Sequence, residues 1–299
     1  MTSSKKPEHR AGAVALIGRP NVGKSTILNA LVGMKLSITS AKPQTTRARI
    51  RGILTQPDMQ FVFVDTPGFQ VQFKNVLNKA MNRGIDVARG EVDVLGLVVE
   101  AGKWRQEDQA LLEALAAEGK PLIVVANKSD RIQRAEMLEF LKAVGSKPEV
   151  DAIVPISAQK RKGLDILLKA IRERLPIAEP VYPADSVTDR SERLLVADFL
   201  REKLFRLLGD EIPYGVATVI DKFEEKGPLV RIHASIIVDK AAHKAIVIGR
   251  GGEKLKQIAT SARKDMEVLL GKKVHLETWV KVRKGWQDDP GQMKTLGYE

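Results

Sequence analysis

Gly18-Arg19-Pro20-Asn21-Val22-Gly23-Lys24-Ser25 follows an apolar run at 13–17 and leads into a helical pattern at 25–31. A G-x-x-x-x-G-K-S string between a strand and a helix reads as a phosphate-binding loop, a context that a chance match would lack. Its glycines let the backbone curl so that N–H groups face the phosphates, and the helix that follows adds the positive end of its dipole. Lys24 is expected to neutralise the β and γ phosphates, and Ser25 to bind Mg2+ through its hydroxyl. Asp65-Thr66-Pro67-Gly68 closes a second apolar run at 61–64. Alone it would mean only a turn after a strand. After the phosphate loop it reads as the second metal-side element, with the Asp65 carboxylate holding the same ion through water and the Gly68 N–H meeting the γ phosphate.

Asn127-Lys128-Ser129-Asp130 follows a third apolar run, at 122–126. The Asp130 carboxylate can accept from both N1–H and the exocyclic amine of guanine, a pattern that adenine does not offer. Asn127 can reach N7 or the carbonyl edge, and the Lys128 stem can lie over the base. Another base would leave a carboxylate unpaired, so the spacing selects guanine. Ser157-Ala158-Gln159 is a weaker match for a loop whose backbone meets the guanine carbonyl. Gln44-Thr45-Thr46-Arg47 lies where a γ-phosphate sensor would sit, and Thr46 is favoured over Thr45 to complete the Mg2+ shell.

Around these segments, apolar runs at 13–17, 50–54, 61–64, 94–99, 122–126 and 153–156 alternate with amphipathic stretches at 108–117, 135–144 and 164–175. Such alternation predicts an α/β domain with a mostly parallel, helix-covered sheet, whose ligands bind beyond the strand C-termini. Three prolines within 176–186 read as a linker. A helical stripe through Leu194, Leu195, Phe199, Leu204, Leu207 and Leu208 follows, with Thr188 or Asp189 as its cap. Strand-like runs at 215–222, 229–238 and 274–282 complete a smaller α+β unit. The chain of 299 residues suits two cores. With no cysteine, disulfides, thiolate metal sites and cysteine nucleophiles are excluded. The four histidines, His9, His233, His243 and His275, show no ligand spacing. No apolar run approaches a membrane span, and the polar residues 1–10 read as a disordered tail, so a cytoplasmic protein is expected.

The net charge of +12 favours anionic partners. It is concentrated: residues 240–284 hold 12 basic and 4 acidic side chains, whereas residues 185–239 hold 8 and 11. Inside the basic stretch stands Gly249-Arg250-Gly251-Gly252. A G-x-x-G loop between helices lets a nucleic-acid backbone approach closely beside an apolar groove for splayed bases. Arg250, Lys254 and Lys256 would carry the charge, and Ile246, Val247, Ile248 and Ile258 would line the groove or the core. Trp279 and Trp286 are expected to be packing residues.

Taken together, these motifs, with Leu36-Ser37-Ile38-Thr39-Ser40, Thr26 after the phosphate loop, Ala262-Arg263-Lys264-Asp265-Met266 and Trp279-Val280-Lys281-Val282, resemble the Era family of bacterial GTPases over nearly the whole chain. The resemblance implies a P-loop GTPase domain at 11–177, a linker at 178–189, and a type II KH domain with a C-terminal extension at 190–299. It also implies binding to the 3′ end of small-subunit (16S) ribosomal RNA and a part in small-subunit assembly, with GTP or GDP and Mg2+ as cofactors. Phe69 stands where signalling GTPases carry a water-orienting glutamine. Slow intrinsic hydrolysis is therefore expected. The missing positioning or charge is expected from a monovalent cation, a neighbouring backbone group or a partner; Asn21, otherwise a turn residue, resembles the asparagine that coordinates potassium in relatives of the family, which favours K+ near Asn21. A monomer is expected. The alternatives are a GTP-gated module on the cytoplasmic face of a membrane, held there peripherally, and a switch that binds protein.

Overall fold

A computed structural model describes residues 8–39, 50–66, 90–209 and 212–295. Gln44, Thr45, Thr46, Arg47, Pro67, Gly68 and Phe69 lie outside the described residues. The described chain divides into two compact units, one of residues 8–36, 50–66 and 90–189, the other of 37–39, 190–209 and 212–295.

In the first unit six strands stand in the order β2-β3-β1-β4-β5-β6. They are β1 (Arg10–Ile17), β2 (Ile50–Gln56), β3 (Met59–Asp65), β4 (Val94–Glu100), β5 (Leu122–Asn127) and β6 (Ala152–Pro155). All pairs are parallel except β2 with β3, which Pro57 and Asp58 join with Gln56 opposite Met59. Two residues suffice for a hairpin but not for a parallel crossover. β3 and β5 are buried along their whole length, as apolar runs covered on both faces should be. Four described helices accompany the sheet: α1 (Lys24–Val32), α2 (Gln106–Ala116), α3 (Arg134–Gly145) and α4 (Leu164–Arg172). Leu111, Leu112 and Leu115 of α2, with Phe140 and Val144 of α3, pack on the strands in one apolar cluster.

Two local expectations differ from what is found. β1 begins at Arg10, inside the expected tail, because Arg10 pairs with Ile177 and its guanidinium donates to the Leu175 carbonyl. The stretch read as a linker is tied to the β2–β3 hairpin. The Gln60 side chain, wholly buried, donates to the Tyr182 carbonyl at 2.8 Å and accepts from the Val181 and Tyr182 amides. Ile53 N–H donates to Val187 O, and Thr188 Oγ1 to Arg51 O. Thr188 and Asp189, which pairs with Arg51 at 3.3 Å, are thus engaged elsewhere. Ser191 stands at the cap of the next helix instead.

The second unit has a three-stranded sheet, β7 (Val216–Lys226), β8 (Leu229–Val238) and β9 (Lys273–Val282), in that order. β7 runs antiparallel and β9 parallel to β8. Helices α5 (Glu192–Leu207), α6 (Ala241–Ile248) and α7 (Glu253–Leu270) supply Phe199, Leu200, Leu204, Val247, Ile258, Ala262 and Met266 to its core, and α8 (Pro290–Thr295) ends the described chain. Ile38 joins that core. The wholly buried Glu202 accepts from Thr39 N at 3.1 Å and pairs with Arg206 at 2.9 Å. Trp286 is buried with Ala217 and Ile237, as expected, whereas Trp279 is 44% exposed and meets His233 edge-on at 5.4 Å.

Candidate nucleotide and RNA sites

β1 delivers the chain at Ile17 to the loop 18–23, and α1 starts at Lys24, so the helix N-terminus opens directly onto the loop. Two glycines are required here on steric grounds. A Cβ on Gly18 would stand 2.3 Å from the Val98 carbonyl, and one on Gly23, at φ 105°, 2.2 Å from Asn127 Nδ2. Asn21 holds φ 65°, a left-handed conformation that non-glycine residues adopt rarely. The buried Lys24 ammonium donates to Gly18 O at 3.0 Å and Arg19 O at 3.1 Å. Burial lowers its pKa to about 8, against the opposing attraction of Asp65.

That depressed value has a measurable result. Phosphates brought to Lys24 would restore its charged form, so this group is expected to take up about half a proton at pH 8 and almost none at pH 6.5 on nucleotide binding. Calorimetry in buffers of different ionisation enthalpy measures this. Uptake that is the same at both pH values would contradict it.

On the metal side, Ser25 Oγ donates to Asp65 Oδ2 at 2.7 Å, and Asp65 and Thr66 are wholly buried. A hydroxyl and a carboxylate side by side are hard oxygen donors of the kind Mg2+ takes. Among the described residues no group of three His, Asp or Glu could hold a metal. Ser25→Ala is expected to lower Mg2+-dependent nucleotide affinity at least about tenfold, as removal of one charge-assisted contact does, and titration over Mg2+ concentration reads it.

At the other end, Asn127 closes β5 and ties three segments together. Its Nδ2 donates to Val22 O at 2.9 Å, and its Oδ1 accepts from Ala158 N at 3.1 Å. Ser157 Oγ donates to Asp130 Oδ1 at 2.5 Å, and this bond lowers the pKa of Asp130 and keeps it an acceptor. Ser129 N–H donates to Ile156 O, and Lys128, at φ 64°, pairs with Glu100 at 2.7 Å. The sequence-predicted residues Gly18, Val22, Lys24, Ser25, Asp65, Asn127, Asp130, Ser157 and Ala158 therefore share one connected end of the sheet.

Two groups in this region carry no sequence motif. Glu100, at the end of β4, holds both Lys128 and Lys103, and its pKa falls to about 2 as their hydrogen bonds outweigh desolvation. Asp108, in the first turn of α2, binds Arg19 at 2.7 and 2.9 Å. Arg19, expected at the nucleotide, thus has its guanidinium on Asp108.

In the second unit the Gly249–Gly252 loop joins α6 to α7. Gly249, Gly251 and Gly252 have φ of 73°, 58° and 81°, and a Cβ on Gly249 would stand 2.6 Å from Lys254 Cβ. Arg250 and Lys256 are exposed and Lys254 is half-buried. The expected groove residues separate: Val247 and Ile258 belong to the core, Ile248 packs against it, and Ile246 is 49% exposed. Among the described residues no helix is long and apolar enough to cross a membrane.

Residues 13–128 match a family model described as 50S ribosome-binding GTPase, and residues 211–287 one described as KH domain. GTPase Era of Nitrosomonas eutropha is 49% identical over 97% of this chain and 98% of its own length. That of Bordetella avium is 48% identical with the same coverage. A crystal structure of Aquifex aeolicus Era bound to GDP·AlF4− superposes with a TM-score of 0.93 at 38% identity, over 97% of this chain and 99% of that one. A structure of Era in complex with MgGDPNP and nucleotides 1506–1542 of 16S ribosomal RNA gives the same values.

Proposed function

Since the chain belongs to the Era family of GTPases, we propose that it binds the 3′ end of small-subunit ribosomal RNA through the Gly249–Gly252 loop and acts in assembly of the small ribosomal subunit. The observation that carries this reading is the presence in one chain of a guanine site and a three-glycine loop with Arg250 exposed, matched end to end by a relative crystallised with 16S nucleotides. The residue assignments, with the RNA-binding part beginning at Arg190, belong to the same proposal.

In the nucleotide site, Lys24 leaves the Gly18 and Arg19 carbonyls for the β and γ phosphates, and the loop amides with the α1 N-terminus complete the cradle. Ser25, and Asp65 through water, would hold Mg2+, which would supply positive charge to the phosphates. Asp130, oriented by Ser157, reads guanine, while Asn127 keeps the base end and the phosphate end in register. Thr46 and Gly68 are proposed to sense the γ phosphate.

Phe69 cannot orient water. K+ near Asn21, which has a left-handed backbone at φ 65°, is proposed to supply the charge. Turnover in KCl is expected to exceed that in NaCl at equal ionic strength; equal rates would end this part of the proposal.

The RNA reading is tested by titrating the full chain with an oligonucleotide of the small-subunit rRNA 3′ end, a scrambled oligonucleotide, and anionic vesicles. Tight binding to the first alone supports it. Vesicle binding with no preference between the oligonucleotides would instead favour a peripheral membrane role.

A further inference from the structure

The phosphate loop has an anchor at its back and another at its front. At the back, Asn127 Nδ2 holds the Val22 carbonyl at 2.9 Å. At the front, Arg19 Nε and Nη2 meet Asp108 Oδ1 and Oδ2 at 2.7 and 2.9 Å in a bidentate pair. Asp108 is wholly buried and the Arg19 side chain is 13% exposed, so little water competes for the pair. Between the anchors lie Pro20 and Asn21, the latter held at φ 65°. A left-handed non-glycine residue persists only where its surroundings hold it.

Lys24 braces the front of the loop as well while its ammonium bonds the Gly18 and Arg19 carbonyls. Phosphates draw that ammonium away. From then on the front of the loop depends on Arg19 and its partner. We infer that Asp108 is a positioning residue of the GTPase, holding the phosphate loop in its binding shape through Arg19 when Lys24 turns to the nucleotide. This deepens the assignment of the phosphate loop and rests on it. It also keeps Arg19 from serving as the charge that stabilises hydrolysis. Asp108 Oδ2 accepts from Arg105 N at 3.0 Å as well, which fixes the carboxylate at the start of α2.

The test uses the full chain with Asp108→Asn, Arg19→Lys, Arg19→Ala, Asp108→Ala and the double variant Arg19→Ala/Asp108→Ala. Asparagine can still accept from Arg105 N, so the start of α2 is kept, but its amide cannot pair bidentately with a guanidinium. Lysine keeps the charge of Arg19 and loses the fork. Affinities for a fluorescent GDP analogue and for a non-hydrolysable GTP analogue are measured with kcat and Tm. Each single variant is expected to weaken both affinities about tenfold, the scale of one charge-assisted pair, with kcat at saturation within about threefold. The double variant is expected to be no weaker than Arg19→Ala alone. Affinities within twofold of the parent, with only Tm lowered, would show a mere structural brace and overturn the inference while leaving the GTPase assignment intact. A fall in kcat with unchanged affinity, or additive losses in the double variant, would overturn it too.

Discussion

Asp130→Asn is expected to cost on the order of 10^3-fold in affinity for guanine nucleotides and to create binding of xanthine nucleotides. An ionised carboxylate accepts from both N1–H and the exocyclic amine; an amide accepts with one atom and donates with the other. Each lost bond to a charged group is worth about 1.5–3 kcal/mol, and the amide hydrogens then face the guanine amine. Xanthine carries a carbonyl at that position and accepts the new donor. The side chain is held for this reading by Ser157 Oγ at 2.5 Å, which also lowers the Asp130 pKa. Parallel titrations with labelled GDP and XDP measure the exchange. Retained GDP affinity would remove Asp130 from the base site.

Changing Arg250 and Gly251 together to Asp is expected to weaken RNA binding by on the order of 100-fold or more at physiological salt, since three units of charge are reversed or added where phosphates would lie. The pair is chosen because it spares the fold. Arg250 is exposed, a Cβ on Gly251 meets nothing within 4 Å, and Asp tolerates its φ of 58°. Gly249 would be a poor choice, since its Cβ would collide with Lys254. Nucleotide affinity, measured on the same preparation, should be unchanged. RNA affinity that survived the change would put the RNA site elsewhere.

Local strings made both candidate sites legible. Gly18, Gly23, Lys24 and Ser25 announce their chemistry because a tight, amide-lined loop needs glycine at fixed places, and the same holds for Gly249, Gly251 and Gly252. The strand runs were legible from their continuous apolarity, which survives burial on both faces. What pairs across the chain was not. Asp108 reads as an ordinary first-turn acid of a surface helix, yet its partner Arg19 lies 89 positions away. Glu202 reads as the solvated face of α5 and is wholly buried, bonded to Thr39 across 163 positions. Gln60 lies within an apolar strand, and no local signal says that its amide binds residues 181 and 182. Arg10 appeared part of a tail for the same reason, because its strand partner Ile177 and its acceptor Leu175 are remote in sequence. Spacing exposes chemistry carried by neighbours; it is silent on ion pairs closed by the fold.

On the proposed reading, one chain carries both a guanine site and a loop that binds the 3′ end of small-subunit rRNA. Crosslinking in cells followed by sequencing tests it most directly, with the Arg250→Asp/Gly251→Asp variant in parallel. Reads concentrated at the 3′ end of small-subunit rRNA, and lost in the variant, are expected. Reads centred on large-subunit rRNA, or the same reads in the variant, would contradict it.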